Sequence, residues 1–342
     1  MPYRGRSTYD KLYNALITPF EAGSFEVDYE AYEAFLQYHL SNETFLEHGG
    51  LVVNPEAGEV FYMTDDEYEE TTQFALDVID DAVPTFVGVF GLRRDEVLER
   101  AESVEAWGAD GIFLLPPMGS LEVITAGGSQ AYPEVWVDHV RSVADVADLP
   151  IIVHPTAPLS AEYGAGLPRE PTTAVLREVE NVVGWKMTYN AEGYDEIAKA
   201  IRELDPEVNV MCASGSYYHE MLDSGAFDGS ISGSLNYALE PMLEHYLAWK
   251  RGDVAEATEI WEGGLRDLHE YIYAENKTRL HPRYKVATWL RGFISHPYMR
   301  PPMPAPSAEE VERIDELLRN TGLETIDTAE RERVMNNPVR TL

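Results

Sequence analysis

Short apolar runs and longer amphipathic stretches alternate along this chain from residue 13 to residue 234. The runs are YNALI (13–17), GLVVN (50–54), PTFVGV (84–89), GIFLL (111–115), PIIVH (150–154), VVGWK (182–186), VNVMCA (208–213) and GSISGS (229–234). Each is too short for a helix and reads as a buried parallel strand. Between them, stretches such as VDYEAYEAFLQYHL, RRDEVLERAESVEAW, PEVWVDHVRSVADVA and EGYDEIAKAIREL are apolar every three or four residues, the period of a helix with one buried face. Eight strands alternating with helices over roughly 240 residues predict an α/β chain folded as a (β/α)8 TIM barrel. A doubly wound open sheet is the competing architecture. It usually carries fewer strands and a glycine-rich first turn, whereas the first strand here leads into TPFEAGSF, with no G-x-G-x-x-G.

From about residue 240 the pattern turns to helix alone, with LEPMLEHYLAWKRG, DVAEATEIWEGGLRDLHEYIYAE, YKVATWLRGFI and SAEEVERIDELLRNTG. The proline cluster PYMRPPMPAP (297–306) punctuates it as a rigid link. The expected division is a barrel over 1–240, a C-terminal helical bundle packed on it over 241–322, and a polar tail over 323–342.

Charge narrows the classes of partner. With 26 basic and 60 acidic residues the net charge is −34. Such a surface repels phosphate backbones and anionic membranes, so neither nucleic acid nor membrane is an expected partner. The acids are spread along the whole chain, and only 6 lysines stand among the 26 basic residues. That composition fits a soluble protein adapted to high salt; a basic protein partner is the alternative. A single cysteine, Cys212, precludes an intramolecular disulfide and points to a reducing cytoplasm. The N-terminal MPYRGRSTYDKLYNALITPF lacks the apolar core of a signal peptide, and no run approaches the ~18 residues of a membrane span.

In a barrel, groups at the C-terminal ends of the strands face the active site. Lys186 ends the sixth run directly after an apolar stretch, where a cation is least comfortable without work or a partner. Desolvation disfavours its ammonium form, and a neutral amine is the nucleophile that condenses with a ketone or aldehyde. The resulting iminium draws electrons from the neighbouring carbon. The structural alternative is a lysine paired with Glu59 or another acid. His154 ends the adjacent fifth run, where an imidazole can move protons near neutral pH, or else serve as a hydrogen-bonded core residue. Glu56 and Glu59, three residues apart, offer a catalytic carboxylate or a cap for the helix starting near Thr64; Glu56 is the better candidate for ligand contact. Thr18, Ala57, Gly58, Ser214 and Gly233 are candidate substrate contacts, although the glycines and serines equally suit tight turns. No H-E-x-x-H, C-x-x-C, G-x-S-x-G or phosphate loop is present, so no metal or cofactor is signalled.

With these residues in view, the chain resembles the dihydrodipicolinate synthase / N-acetylneuraminate lyase superfamily of class I aldolases from about residue 12 to 321. ALITPF (15–20) is similar to the family's opening A-[LI]-x-T-P-F, and GLVVNPEAGEVFYMTDDEY (50–68) to its G-x-x-x-x-G-[TS]-T-G-E block. AWGADGIFLLPP (106–117) resembles A-G-A-D-G-x-x-x-x-P-P, and VVGWKMT (182–188) resembles [IV]-x-G-[IV]-K, which places Lys186 on the Schiff-base lysine. The resemblance implies a barrel, a 2-oxo acid bound as an imine, no metal, and a homo-oligomer, dimer or tetramer. Several positions depart from it. The paired hydroxyl residues of the carboxylate-binding turn fall on Glu56 and Ala57, and the catalytic tyrosine falls on His154. The partner-subunit tyrosine falls near Met118 and Gly119, and the arginine that binds a second carboxylate near Leu159. Dihydrodipicolinate synthase itself is therefore not expected. The loop 119–130 is long enough to act as a lid.

The expected function is a class I Schiff-base lyase on a 2-oxo acid, a 2-keto-3-deoxy sugar-acid dehydratase or aldolase. In that reading Lys186 forms the imine, His154 shuttles the proton and Glu56 assists a departing hydroxyl or activates water. The competing expectations are a barrel that binds a metabolite without turnover, and a hydratase-aldolase on an aromatic aldehyde adduct of pyruvate.

Overall fold

The computed structural model describes residues 6–126, 128–204, 207–274 and 277–336. Among the described residues ten strands form: β1 (Leu12–Ala15), β2 (Gly49–Val53), β3 (Thr85–Val89), β4 (Gly111–Leu114), β5 (Ile151–Val153), β6 (Thr156–Ser160), β7 (Gly164–Gly166), β8 (Val182–Met187), β9 (Asn209–Cys212) and β10 (Gly229–Ser232). Eight of them close into a barrel in the order β1-β10-β9-β8-β5-β4-β3-β2, while β6 and β7 form a separate antiparallel pair. The protein is a (β/α)8 TIM barrel with C-terminal helices, as the alternation of apolar runs predicts. All eight expected strands exist, most of them trimmed at an end; β1 stops at Ala15, so Thr18 lies in the loop beyond it.

The chain divides by its contacts into two compact units. The first gathers residues 1–13, 49–53 and 84–232. Its barrel strands are buried along almost their whole length because both faces are covered, and Phe86, Val87, Ile112, Leu114, Ile152, Val153 and Val210 have no exposed surface. Burying a side chain of this kind contributes roughly 1.5–3 kcal/mol relative to leaving it exposed. The β6–β7 pair was not expected from sequence, since its first strand runs from half-buried to exposed and carries no apolar alternation. Gly166 in β7 is required by close approach, because a Cβ there would lie 2.3 Å from the Tyr189 ring.

The second unit gathers residues 14–48, 54–83 and 233–342. It contains helices Tyr29–Leu40, Glu43–His48 and Asp65–Ile79, then the helices from Leu239 onward. Thr64 caps the helix Asp65–Ile79 in a reciprocal capping box with Glu67. The cap that Glu56 or Glu59 offered as the alternative to a catalytic role is formed by Thr64 with Glu67. The proline cluster separates helix Leu280–Leu290 from Ala308–Asn320. Residues read as a polar tail carry a helix, Thr328–Asn336, joined to Ala308–Asn320 by the Arg331–Asp315 ion pair at 2.5 Å; 337–342 lie outside the described residues. Among the described residues no helix is long and apolar enough to cross a membrane.

The acidic excess gives a testable consequence. Like-charge repulsion at −34 opposes the compact state and is screened by salt. The melting temperature is expected to climb steadily as KCl is raised into the molar range, measured by circular dichroism. A flat dependence would remove the high-salt reading.

Candidate functional site

Lys186 sits on β8 between two neighbours in register. Val153 of β5 pairs with Trp185, so the next positions in register are His154 and Lys186, and the His154 N–H bonds to the Leu114 carbonyl at 2.9 Å. On the other side Lys186 pairs with Met211 of β9. Successive side chains on a strand point to opposite faces. Trp185 donates from Nε1 to the Tyr189 hydroxyl at 2.9 Å, and that hydroxyl donates to the Leu167 carbonyl at 2.9 Å. With Trp185 anchored on that face, Lys186 projects from the other.

There it meets Phe113 of β4. The Lys186 Nζ lies 5.1 Å from the ring centroid. The His154 imidazole stacks on the same residue, with centroids 5.3 Å apart and planes 23° apart. Two candidate groups, one on β8 and one just past β5, thus share one aromatic neighbour. An aromatic wall shields the amine from water while its π-face still tolerates the cation. His154 is buried, and its Nε2 is 2.8 Å from the Thr156 hydroxyl. Neither Phe113 nor Thr156 was among the residues singled out from sequence. Ser214, two residues past β9, is buried and hydrogen-bonded to Ser216 at 2.9 Å.

The second unit brings Thr18, Ala57 and Gly58 together. The loop after β2 makes two short 3-10 turns, Glu56–Gly58 and Val60–Tyr62. Thr18 donates to the Gly58 carbonyl at 2.8 Å, joining the loop after β1 to this one. Glu56 is half-buried, whereas Glu59 is fully buried. The lysine that holds the Glu59 carboxylate is Lys285, which the sequence did not suggest. Gly233 presents its bare face to an aromatic ring, since a Cβ there would lie 2.2 Å from Tyr284 Cε2. Asn54, at the end of β2, donates to Thr71 at 3.0 Å and Thr72 at 2.9 Å in the helix Asp65–Ile79.

Three further features bear on the expectations. Leu159, near the expected position of a second-carboxylate arginine, is 62% exposed on β6. The loop 119–130 carries a short helix, Leu121–Thr125, with Gly127 outside the described residues. A cavity of about 260 Å³ in the first unit is lined by Arg93, Arg94, Gly119, Ser120 and His139 among others, and by none of the candidate residues. Burial pulls the His139 imidazole down to about 4. Among the described residues no three His, Cys, Asp or Glu side chains gather as a metal-binding group.

A closed barrel with C-terminal helices is the architecture of many lyases, and comparison with known proteins fixes which kind. The Dihydrodipicolinate synthetase family matches residues 8–321. The 4-hydroxy-tetrahydrodipicolinate synthase of Thermotoga neapolitana is 26% identical over 310 residues, covering 90% of this chain and 97% of that protein. A probable 2-dehydro-3-deoxy-D-pentonate aldolase of Escherichia coli is 26% identical over 275 residues, covering 80% of this chain and 86% of that one. Among solved structures, dihydrodipicolinate synthase from Aquifex aeolicus superposes with a TM-score of 0.77 at 24% identity, covering 93% of this chain and 99% of that one. A prophage protein of Escherichia coli of the same family, solved with pyruvate, gives 0.76 at 22% identity over 92% of this chain and 99% of its own.

The chain belongs to the dihydrodipicolinate synthetase family. It is a lyase of the class I aldolase type, which works through a Schiff base.

Proposed function

We propose that this lyase acts on a 2-keto-3-deoxy sugar acid, as a dehydratase or an aldolase, with Lys186 as the imine-forming amine. The observation that carries the reading is the placement of Lys186 on β8 and of His154 directly after the adjacent strand β5, both against Phe113. The amine adds to the C2 ketone and the carbinolamine loses water to give the iminium. In the aldolase direction the C4 hydroxyl gives up its proton, the C3–C4 bond breaks, and its electrons move into the iminium to leave an enamine and an aldehyde. Protonation at C3 and hydrolysis then release pyruvate and the free amine. In the dehydratase direction a C3 proton leaves to form the enamine, and the C4 hydroxyl departs as water after taking a proton from an acid.

His154 moves the C3 proton, with Thr156 orienting its ring through Nε2. Glu56 is the acid that assists the hydroxyl, the Ala57 backbone N–H donates to the substrate carboxylate, and Thr18 braces that turn through the Gly58 carbonyl. Ser214 and Gly233 are the remaining candidate substrate contacts. Two facts favour a hydroxylated substrate over one with a second carboxylate. Leucine stands at 159, where an arginine would be needed, and one relative is named as an aldolase of a 2-dehydro-3-deoxy acid.

Borohydride trapping tests the reading. The protein is incubated in high salt with pyruvate or with 2-keto-3-deoxy pentonates and hexonates, reduced and digested. A reduced adduct is expected on the peptide carrying Lys186, and the unreduced reaction is expected to release either pyruvate with an aldehyde or a dehydrated 2-oxo acid. Absence of an adduct with every 2-oxo acid tried would overturn it.

A further inference from the structure

The loop after β2 is held by side chains that no step of the lyase chemistry uses. Glu59 sits between its two 3-10 turns with φ at +65°, a left-handed conformation that a non-glycine residue keeps only when its surroundings impose it. Its carboxylate has no exposed surface and is taken at both oxygens. Lys285, from helix Leu280–Leu290 and 1% exposed, donates to Oε1, and the Arg300 backbone N–H donates to Oε2 at 2.7 Å.

The same two residues grip the loop after β1. The Lys285 Nζ lies 3.9 Å from the Phe20 ring centroid and the Arg300 guanidinium 4.3 Å from it. Phe20 is two residues past Thr18. Arg300 also donates to the Phe25 carbonyl at 2.6 Å, to the Tyr62 carbonyl at 3.1 Å and to Glu67 at 2.6 Å. Burial pulls the Lys285 ammonium below its ordinary value, and the Glu59 carboxylate raises it in return.

A buried ion pair of this kind adds little stability over a well-packed apolar pair, so stability alone does not account for it. What it supplies is a fixed geometry. The Glu59 carboxylate accepts one bond from a helix and one from the segment after it, while the cations cover Phe20.

We infer that Lys285 is a positioning residue: through Glu59 and Phe20 it fixes the two loops that carry Thr18, Ala57 and Gly58, and thereby sets affinity for the substrate carboxylate without touching it. This rests on the carboxylate-binding role assigned to those loops above.

The test uses Lys285→Met and the neutral pair Glu59→Gln with Lys285→Met, the second avoiding a lone buried charge. The readout is the pyruvate concentration giving half-maximal trapping at Lys186, together with the plateau at saturation. In both variants the half-saturating concentration is expected to rise at least about tenfold, equivalent to ~1.4 kcal/mol of binding, with the plateau unchanged. Folded variants that stay within about twofold of wild type, or that lose plateau without a shift in half-saturation, overturn the inference.

Should neither variant fold, amide exchange in the wild-type protein decides. Backbone amides of 58–62 are expected to exchange as slowly as those of 283–288, and rapid exchange of the loop overturns the inference. The two proposals fail separately. Wild-type protein that never traps a 2-oxo acid defeats the functional reading, whereas wild-type protein that traps normally beside indifferent Lys285 variants defeats only this one.

Discussion

Replacing Lys186 by methionine is expected to leave the barrel folded and to abolish both borohydride trapping and turnover. Methionine is close to lysine in length and packs well against an aromatic ring, so the contact with Phe113 survives as a sulfur–aromatic one. Lys186 is only half-buried, and its strand neighbour Trp185 is tied to the Tyr189 hydroxyl independently of the amine. Little stability is therefore at stake. Activity is another matter, because without the amine no covalent electron sink forms. Loss of a covalent nucleophile costs on the order of 10⁴-fold or more.

Peptide mapping makes this outcome specific. The chain has six lysines: Lys11, Lys186, Lys199, Lys250, Lys277 and Lys285. Lys199 is 74% exposed along its side chain and faces Glu203 at 3.9 Å, with no enclosed wall around its amine like the one Phe113 gives Lys186. Lys285 is the deeply buried alternative, but its ammonium is committed to Glu59. An adduct recovered on Lys285, or trapping that persists in the methionine variant, would move the chemistry to the other lysine and end the present assignment.

The contrast between these two lysines shows where sequence stops being informative. The barrel was legible because each buried strand is a continuous apolar run and each helix has a three-to-four-residue period. Those signals are local. The β6–β7 pair escaped because its residues are partly solvated and lack alternation. The Thr64 cap follows the T-x-x-E spacing to Glu67, whereas Glu56 and Glu59 precede the helix and lack that spacing. Glu59 reads as structural from its tight loop, but nothing local names a partner 226 positions away.

The same limit applies at the site. Strand ends pointed to Lys186 and His154, since position along a strand is a local property. Phe113 is one of four apolar side chains in GIFLL, and only the register between β4, β5 and β8 makes it the neighbour of both. Thr156 is two residues from His154, and its hydroxyl reaches the ring because the chain turns there into β6.

Replacing His154 by phenylalanine is expected to separate imine formation from proton transfer. Phenylalanine keeps the ring and its stacking on Phe113 but loses both nitrogens, including the one bonded to Thr156. Carbinolamine and imine formation depend chiefly on the amine, so the trapped fraction at saturating pyruvate should remain close to that of wild type. Passage from iminium to enamine requires removal of a proton from C3, and that step loses its base. A positioned general base contributes typically 10²–10⁴-fold, about 3–5.5 kcal/mol of barrel-bound transition-state stabilisation. The measurement needs no knowledge of the natural substrate. In deuterium oxide, the wild-type protein is expected to wash deuterium into the methyl group of pyruvate, followed by proton NMR. The phenylalanine variant should do so at least about a hundredfold more slowly while still forming the reducible adduct. Exchange at the wild-type rate would mean that another group carries the proton and that His154 is a packing residue beside Phe113. Loss of exchange and trapping together, in a folded variant, would instead make His154 part of the imine-forming step.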